Sequence, residues 1–203
     1  MKKRFIFLSS IILFLVSCTG SGNVEAFVQD RVLPNMPSAD NSTFHMMSVR
    51  TFPEGTIALY STKDANRISD EILGYAVLEK GVLGWKSNSD GAFARDKSSY
   101  PSEQLIDYAS AEFYFNPDAN RGGFTHALIY GEILSPTVTA VNLLLSDGTK
   151  IEDNGEGDVF AFPVPKGAPL CELQIMGQDG KILQTISSPE LNNSPAICPA
   201  PAN

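Results

Sequence analysis

Histidine is scarce in this 203-residue chain, which holds only His45 and His126. A zinc site built on two histidines needs carboxylates or thiolates brought to tetrahedral geometry beside them. His45 precedes Met46-Met47 in an expected strand, and His126 falls mid-strand on the more aromatic face, so both read as packed imidazoles. No Gly-x-Ser-x-Gly elbow, His-Glu-x-x-His pair, phosphate-binding glycine loop or dinucleotide fingerprint occurs. The familiar signatures of esterases, zinc proteases and nucleotide-dependent enzymes are therefore missing. Positive charge is also in short supply, with 15 Lys and Arg against 23 Asp and Glu and a net charge of −8. Such a surface repels nucleic acid, which is not expected as a partner. Beyond residues 5–16, no apolar run approaches the roughly twenty residues that cross a bilayer.

What is present begins at the amino terminus. Lys2, Lys3 and Arg4 precede an apolar run from Phe5 to Val16, and Ser17 and Cys18 follow it. A basic start, about a dozen apolar residues and a small residue at the end form a secretory signal, too short for a membrane span. The segment Leu15-Val16-Ser17-Cys18 resembles the lipobox of bacterial lipoproteins. The resemblance implies cleavage after Ser17 and lipidation of the Cys18 thiol, with the membrane as partner and the body on the extracytoplasmic face. Two or more acyl chains exceed the marginal hold of a single one. A signal cleaved elsewhere, or an uncleaved anchor, is the competing reading.

Removing residues 1–17 removes Lys2, Lys3 and Arg4 but no acid, leaving twelve basic residues against 23 acidic ones, or −11. Of the three cysteines, Cys171 and Cys198 then remain. Outside the cytoplasm they are able to pair, whereas Cys171 also alternates in phase with Leu173 and Ile175, as a small core residue would.

The division expected along the chain is a signal peptide (1–17), a lipidated cysteine with a flexible tether (18–42), a β-rich subdomain (43–118), a β-sandwich subdomain (122–187) and a Pro/Asn-rich tail (188–203). Period-two patterning predicts strands at 44–51, 56–61, 75–79 and 82–87, with a tight turn at Asp90-Gly91. Asp64–Leu73 and Ser102–Ala109 place apolar residues on one helical face and predict two short helices. The turn-rich stretch 116–123 is the expected boundary. Further strands are expected at 124–133, 137–145, 159–164, 170–176 and 181–186, with Asp147-Gly148 and Asp179-Gly180 as hairpin turns. Short strands at this spacing predict an antiparallel β-sandwich in the C-terminal half, within a mainly β chain.

That stretch, through Gly131, Val138–Leu145, Asp147-Gly148, Phe160–Pro165 and Asp179-Gly180, resembles loosely immunoglobulin-like β-sandwich modules of exported Gram-positive proteins. The first half, through Ala76–Lys80 and Gly84-Trp85-Lys86, is similar to the same uncharacterised group. These motifs concern the fold and carry over no functional residue beyond Cys18.

Two groups of side chains remain as candidate sites. Asp153, Glu156 and Asp158, in a glycine-punctuated acidic stretch, offer carboxylates and carbonyls to calcium, although the spacing departs from the twelve-residue calcium loop and a solvated turn is the alternative. Trp85, Tyr100, Tyr108 and Tyr114, with Arg95 and Lys97, suit a glycan or peptide platform or, equally, a core and its rim. The expected function is a membrane-anchored lipoprotein whose non-catalytic β-rich domain binds an envelope protein, peptide or glycan, or supports an assembly. The alternatives are an envelope hydrolase using dispersed carboxylates and a calcium-stabilised adhesion module.

Overall fold

A computed structural model describes residues 23–52, 55–67, 70–113, 126–165, 167–188 and 198. Its layering follows from two central strands that are apolar on both faces. In β2 (Gly55–Asp64), Ile57 and Leu59 point one way and Ala58 and Tyr60 the other, and all four are fully buried. Antiparallel to it, β3 (Glu71–Gly81) directs Leu73, Tyr75 and Val77 to the first face and Ala76 and Leu78 to the second. With β1 (Ala39–Phe52) and β4 (Gly84–Arg95) on the flanks, they form a four-stranded meander.

The middle sheet consists of β5 (Ile106–Phe113), β6 (His126–Ile133) and β9 (Val159–Pro165). The third holds β7 (Val138–Leu145), β8 (Lys150–Asp153), β10 (Leu170–Gly177) and β11 (Ile182–Ser187), in the order β11-β10-β7-β8. Because side chains alternate along a strand, the middle sheet serves two cores. Phe113, Leu128, Tyr130, Val159 and Ala161 pack against Ile57, Leu59, Tyr75 and Val77 of the first sheet. Ile129, Phe160, Phe162 and Val164 pack against Val141, Leu143, Leu173 and Ile175 of the third. Each such side chain contributes about 1.5–3 kcal/mol on burial. The fold is mainly β, and its C-terminal half is an antiparallel sandwich.

The other face of the first sheet is covered by a helical segment. Asn23 caps α1 (Val24–Phe27), its side chain accepting from the Glu25 amide at 2.9 Å. The helix widens into a π turn (Val28–Val32) and tightens into a 3-10 turn (Leu33–Asn35). Val24, Val28, Val32 and Leu33 bury against Ala58, Tyr60, Ala76 and Leu78. The expectation of a flexible tether through residue 42 is thus corrected: residues 24–35 are packed, and β1 starts at Ala39.

Other expectations are corrected too. Neither short helix forms among the described residues. Ile72 and Leu73 lie on opposite faces of β3, and Ile106 to Ala109 belong to β5. Asp90-Gly91 is no turn but part of β4, where a Cβ on Gly91 would sit 2.8 Å from the Tyr75 ring. The β3–β4 hairpin turns at Val82-Leu83. The stretch 116–123 lies outside the described residues. Strand β5, from the expected first subdomain, pairs along its full length with β6 of the expected second, from Ile106 opposite Ile133 to Phe113 opposite His126. The hairpin turns at Gly148 (φ +85°) and at Asp179-Gly180 (φ +61° and +71°) stand where the sequence puts them.

Candidate functional site

Charged side chains gather where the apolar contact between the first two sheets ends. Glu71 and Arg95 are register partners on β3 and β4, two residues beyond Leu73 and Phe93 on the same face. Asp107 and Glu132 are register partners on β5 and β6 and look back at them. The Arg95 side chain, 1 % exposed, pairs with Glu132, lies 3.4 Å from Glu71 and stands 3.7 Å from Asp107. Lys97, in the 3-10 turn Lys97–Ser99, adds contacts of 2.5 Å to Glu71 and 2.8 Å to Glu132. Tyr100 donates to Asp107 at 2.5 Å. Burial, with that hydrogen bond second, raises the Tyr100 hydroxyl above its ordinary range and keeps it a neutral donor. Three carboxylates and two cations tied this way lock two sheets together.

A second polar centre forms at the acidic stretch. Asp153 closes β8, and its carboxylate accepts from the Gly155 and Ala161 amides, both at 2.9 Å. It also pairs with Arg50 of β1, whose Nη2 donates to the Val159 carbonyl at 2.6 Å and the Glu156 carbonyl at 3.2 Å. Arg50 Nε donates to Ser48 at 3.0 Å. Burial pulls the Arg50 guanidinium below its ordinary value, with Glu156 acting the other way, and arginine remains charged in proteins. The Glu156–Asp158 turn presses on β1 so closely that a Cβ on Gly157 would run into the Met47 carbonyl.

Of the expected calcium ligands, Asp153 is held by Arg50, and Glu156 presents its backbone carbonyl, not its carboxylate, to the same guanidinium. Asp158 adopts φ +58° at the end of the turn. A fixed internal cation already sits where the loop's oxygens converge. Among the described residues no group of three or more His, Cys, Asp or Glu is placed to hold a metal.

The aromatic candidates do not form one platform. Trp85 packs on the helical face of the first sheet beneath Lys80, whose Nζ lies 5.7 Å from its ring. Tyr108 packs against the sandwich core on the opposite side of the molecule, and Tyr100 belongs to the Arg95 cluster. Tyr114 lies outside the described residues. His126 stacks on Phe113 with centroids 5.5 Å apart, and His45 lies in β1 opposite Ser61.

Cys18 also lies outside the described residues. Cys171, at the start of β10 and 1 % exposed, is bonded to Cys198 with Cα atoms 5.5 Å apart. On the chain-entropy account, a loop of this length stabilises by about 3–4 kcal/mol. Replacing both cysteines by serine is expected to lower the melting temperature by roughly 10 °C, which scanning calorimetry measures. An unchanged melting temperature would show that the bond closes nothing that unfolding opens.

Sequence reasoning missed Arg50. Its signal was a single arginine in β1, among Met46, Met47 and Val49. No family model matches the chain, and neither the curated proteins nor the solved structures yield a match.

Proposed function

We propose that this protein is a bacterial lipoprotein, held at the extracytoplasmic face of the cell membrane by lipid on Cys18. Its β-rich domain is a non-catalytic binding or structural module. The observation that carries the reading is the segment Leu15-Val16-Ser17-Cys18 behind a basic start and an apolar run. The burial of Val24 in α1, six residues after Cys18, supports a short connection between anchor and body. The two polar centres support the non-catalytic part. Arg95 and Lys97 engage Glu71, Asp107 and Glu132, and Arg50 engages Asp153, so these carboxylates join layers.

Cys18→Ala is expected to abolish labelling by a fatty-acid analogue in living cells and to leave uncleaved precursor or unanchored protein. Intact-mass spectrometry of the native chain reads the same point directly. Equal labelling and equal membrane retention after the substitution would overturn the anchoring.

A further inference from the structure

The β3–β4 hairpin ends in the two most exposed large apolar side chains among the described residues, Val82 and Leu83, at 103 % and 99 % of full accessibility. Their neighbours differ from the rest of this acidic protein. Lys80 and Trp85 face each other across the hairpin, and Lys86 follows on β4. The nearby acid, Glu79, is opposite Lys86 and accepts from Asn88 at 3.3 Å. An apolar tip, an aromatic ring just behind it and lysines around it match the order in which a bilayer changes from hydrocarbon to headgroup.

Where the chain enters the fold selects the occupant. At the far end of the helical segment, Asn35 and Met36 line a cavity of about 300 Å³ with Ile72, Asp90 and Ala94, and Met36 accepts from the Tyr60 hydroxyl at 3.3 Å. The same apolar contact also contains Leu78 and Trp85, nearer the hairpin tip. Eleven helical steps span about 17 Å, and the six strand steps from Ile72 to Leu78 span about 20 Å. Laid along β3 from the Ile72 end, a segment of this length would bring Val24 towards the tip. Cys18 is six residues before Val24, at most about 20 Å of extended chain. On that course Cys18 is within reach of the end of the sheet that carries the apolar tip.

The geometry points to the Val82–Leu83 hairpin tip as a second membrane contact, inserted among the lipids to which Cys18 is attached. This rests on the lipoprotein reading and adds an orientation to it: the first sheet stands on the bilayer by its hairpin end, and the Arg95 cluster lies at the opposite end of β3 and β4. Glu79 beside the tip and Glu25, in the first turn of α1, are acids this orientation brings towards the surface. Lys80 and Lys86 offset them there.

Trp85 is the chain's single tryptophan, so its fluorescence reports this hairpin alone. The test uses the full chain purified with its native modification. It is placed in vesicles of phosphatidylcholine and phosphatidylglycerol, with plain or brominated acyl chains. Trp85 emission is expected to fall in the brominated vesicles. The double variant Val82→Asp, Leu83→Asp is expected to lose that quenching while keeping its melting temperature, because both side chains are free of packing. Equal emission in both vesicle types overturns the proposal and leaves the tip to a protein partner or to solvent. The mass of the same sample judges the anchor separately. A lipidated chain without quenching sinks the tip contact alone, and an unmodified Cys18 sinks the anchor while quenching still decides the tip.

Discussion

Arg95→Ala is expected to destabilise the fold by about 3–5 kcal/mol, the usual cost of breaking a buried ion pair from one side. The substitution leaves Glu71, Asp107 and Glu132 at the seam between two sheets, with Lys97 as their remaining cation. The Arg95 side chain is buried to 1 % exposure, so water does not take over its role without the sheets moving apart. Denaturant unfolding is the measurement, read as a lower midpoint at unchanged slope. The pair Arg95→Met with Glu132→Leu, which removes charge from both sides, is expected to recover part of the loss. If Arg95→Ala unfolds at the wild-type midpoint, the cluster is a solvated fringe and not a lock.

Arg50→Ala should cost a similar amount, about 3 kcal/mol, because Asp153 would stay buried opposite an empty space and the Glu156 and Val159 carbonyls would lose their donor. Arg50→Lys is expected to restore only a part, since an ammonium is not a planar fork and does not reach the carboxylate and both carbonyls together. The same site separates the calcium reading from the present one. With guanidinium in the loop, the wild-type melting temperature should not change between millimolar calcium and chelator. A rise with calcium, by the mass action of a ligand that binds only the folded state, would mean that the loop opens to take the ion.

How far the sequence could be read depended on the range of each interaction. Strands of the sandwich were legible because alternation in residues such as Val141, Leu143 and Leu145, and turns such as Asp147-Gly148, are local signals. The helical segment was missed although Val24, Phe27, Val28, Arg31 and Val32 recur at helical spacing. Three valines of modest helix propensity, and Pro34 close behind, made it resemble a linker, and only the sheet beneath stabilises it. The two false helices failed in the opposite sense. Short windows around Ile72 and Ile106 fit the 3.6-residue period, and pairing with strands elsewhere overrode it. In the first sheet, the burial of both faces of β2 was not legible because the residues that cover its second face come from another part of the chain.

The polar centres were illegible for a related reason. Arg50 meets Asp153 across more than a hundred residues, and Arg95 meets Glu132 across thirty-seven. No spacing rule links residues so far apart. Arg95 and Lys97 did attract notice, but beside tyrosines, as parts of a ligand platform; their partners lay on strands whose register was not yet known.

The middle sheet has a consequence for the order in which the molecule is made. The amino-terminal meander emerges first, wherever the chain folds, and β1 to β4 pair with sequence neighbours, so it forms early. Its inward residues, Ile57, Leu59, Tyr75 and Val77, are met first by Phe113, Leu128 and Tyr130 and last by Val159 and Ala161, some eighty residues after Val77. Until β9 arrives a growing chain displays a sticky, half-finished slab, and any truncation upstream of residue 159 makes that condition permanent.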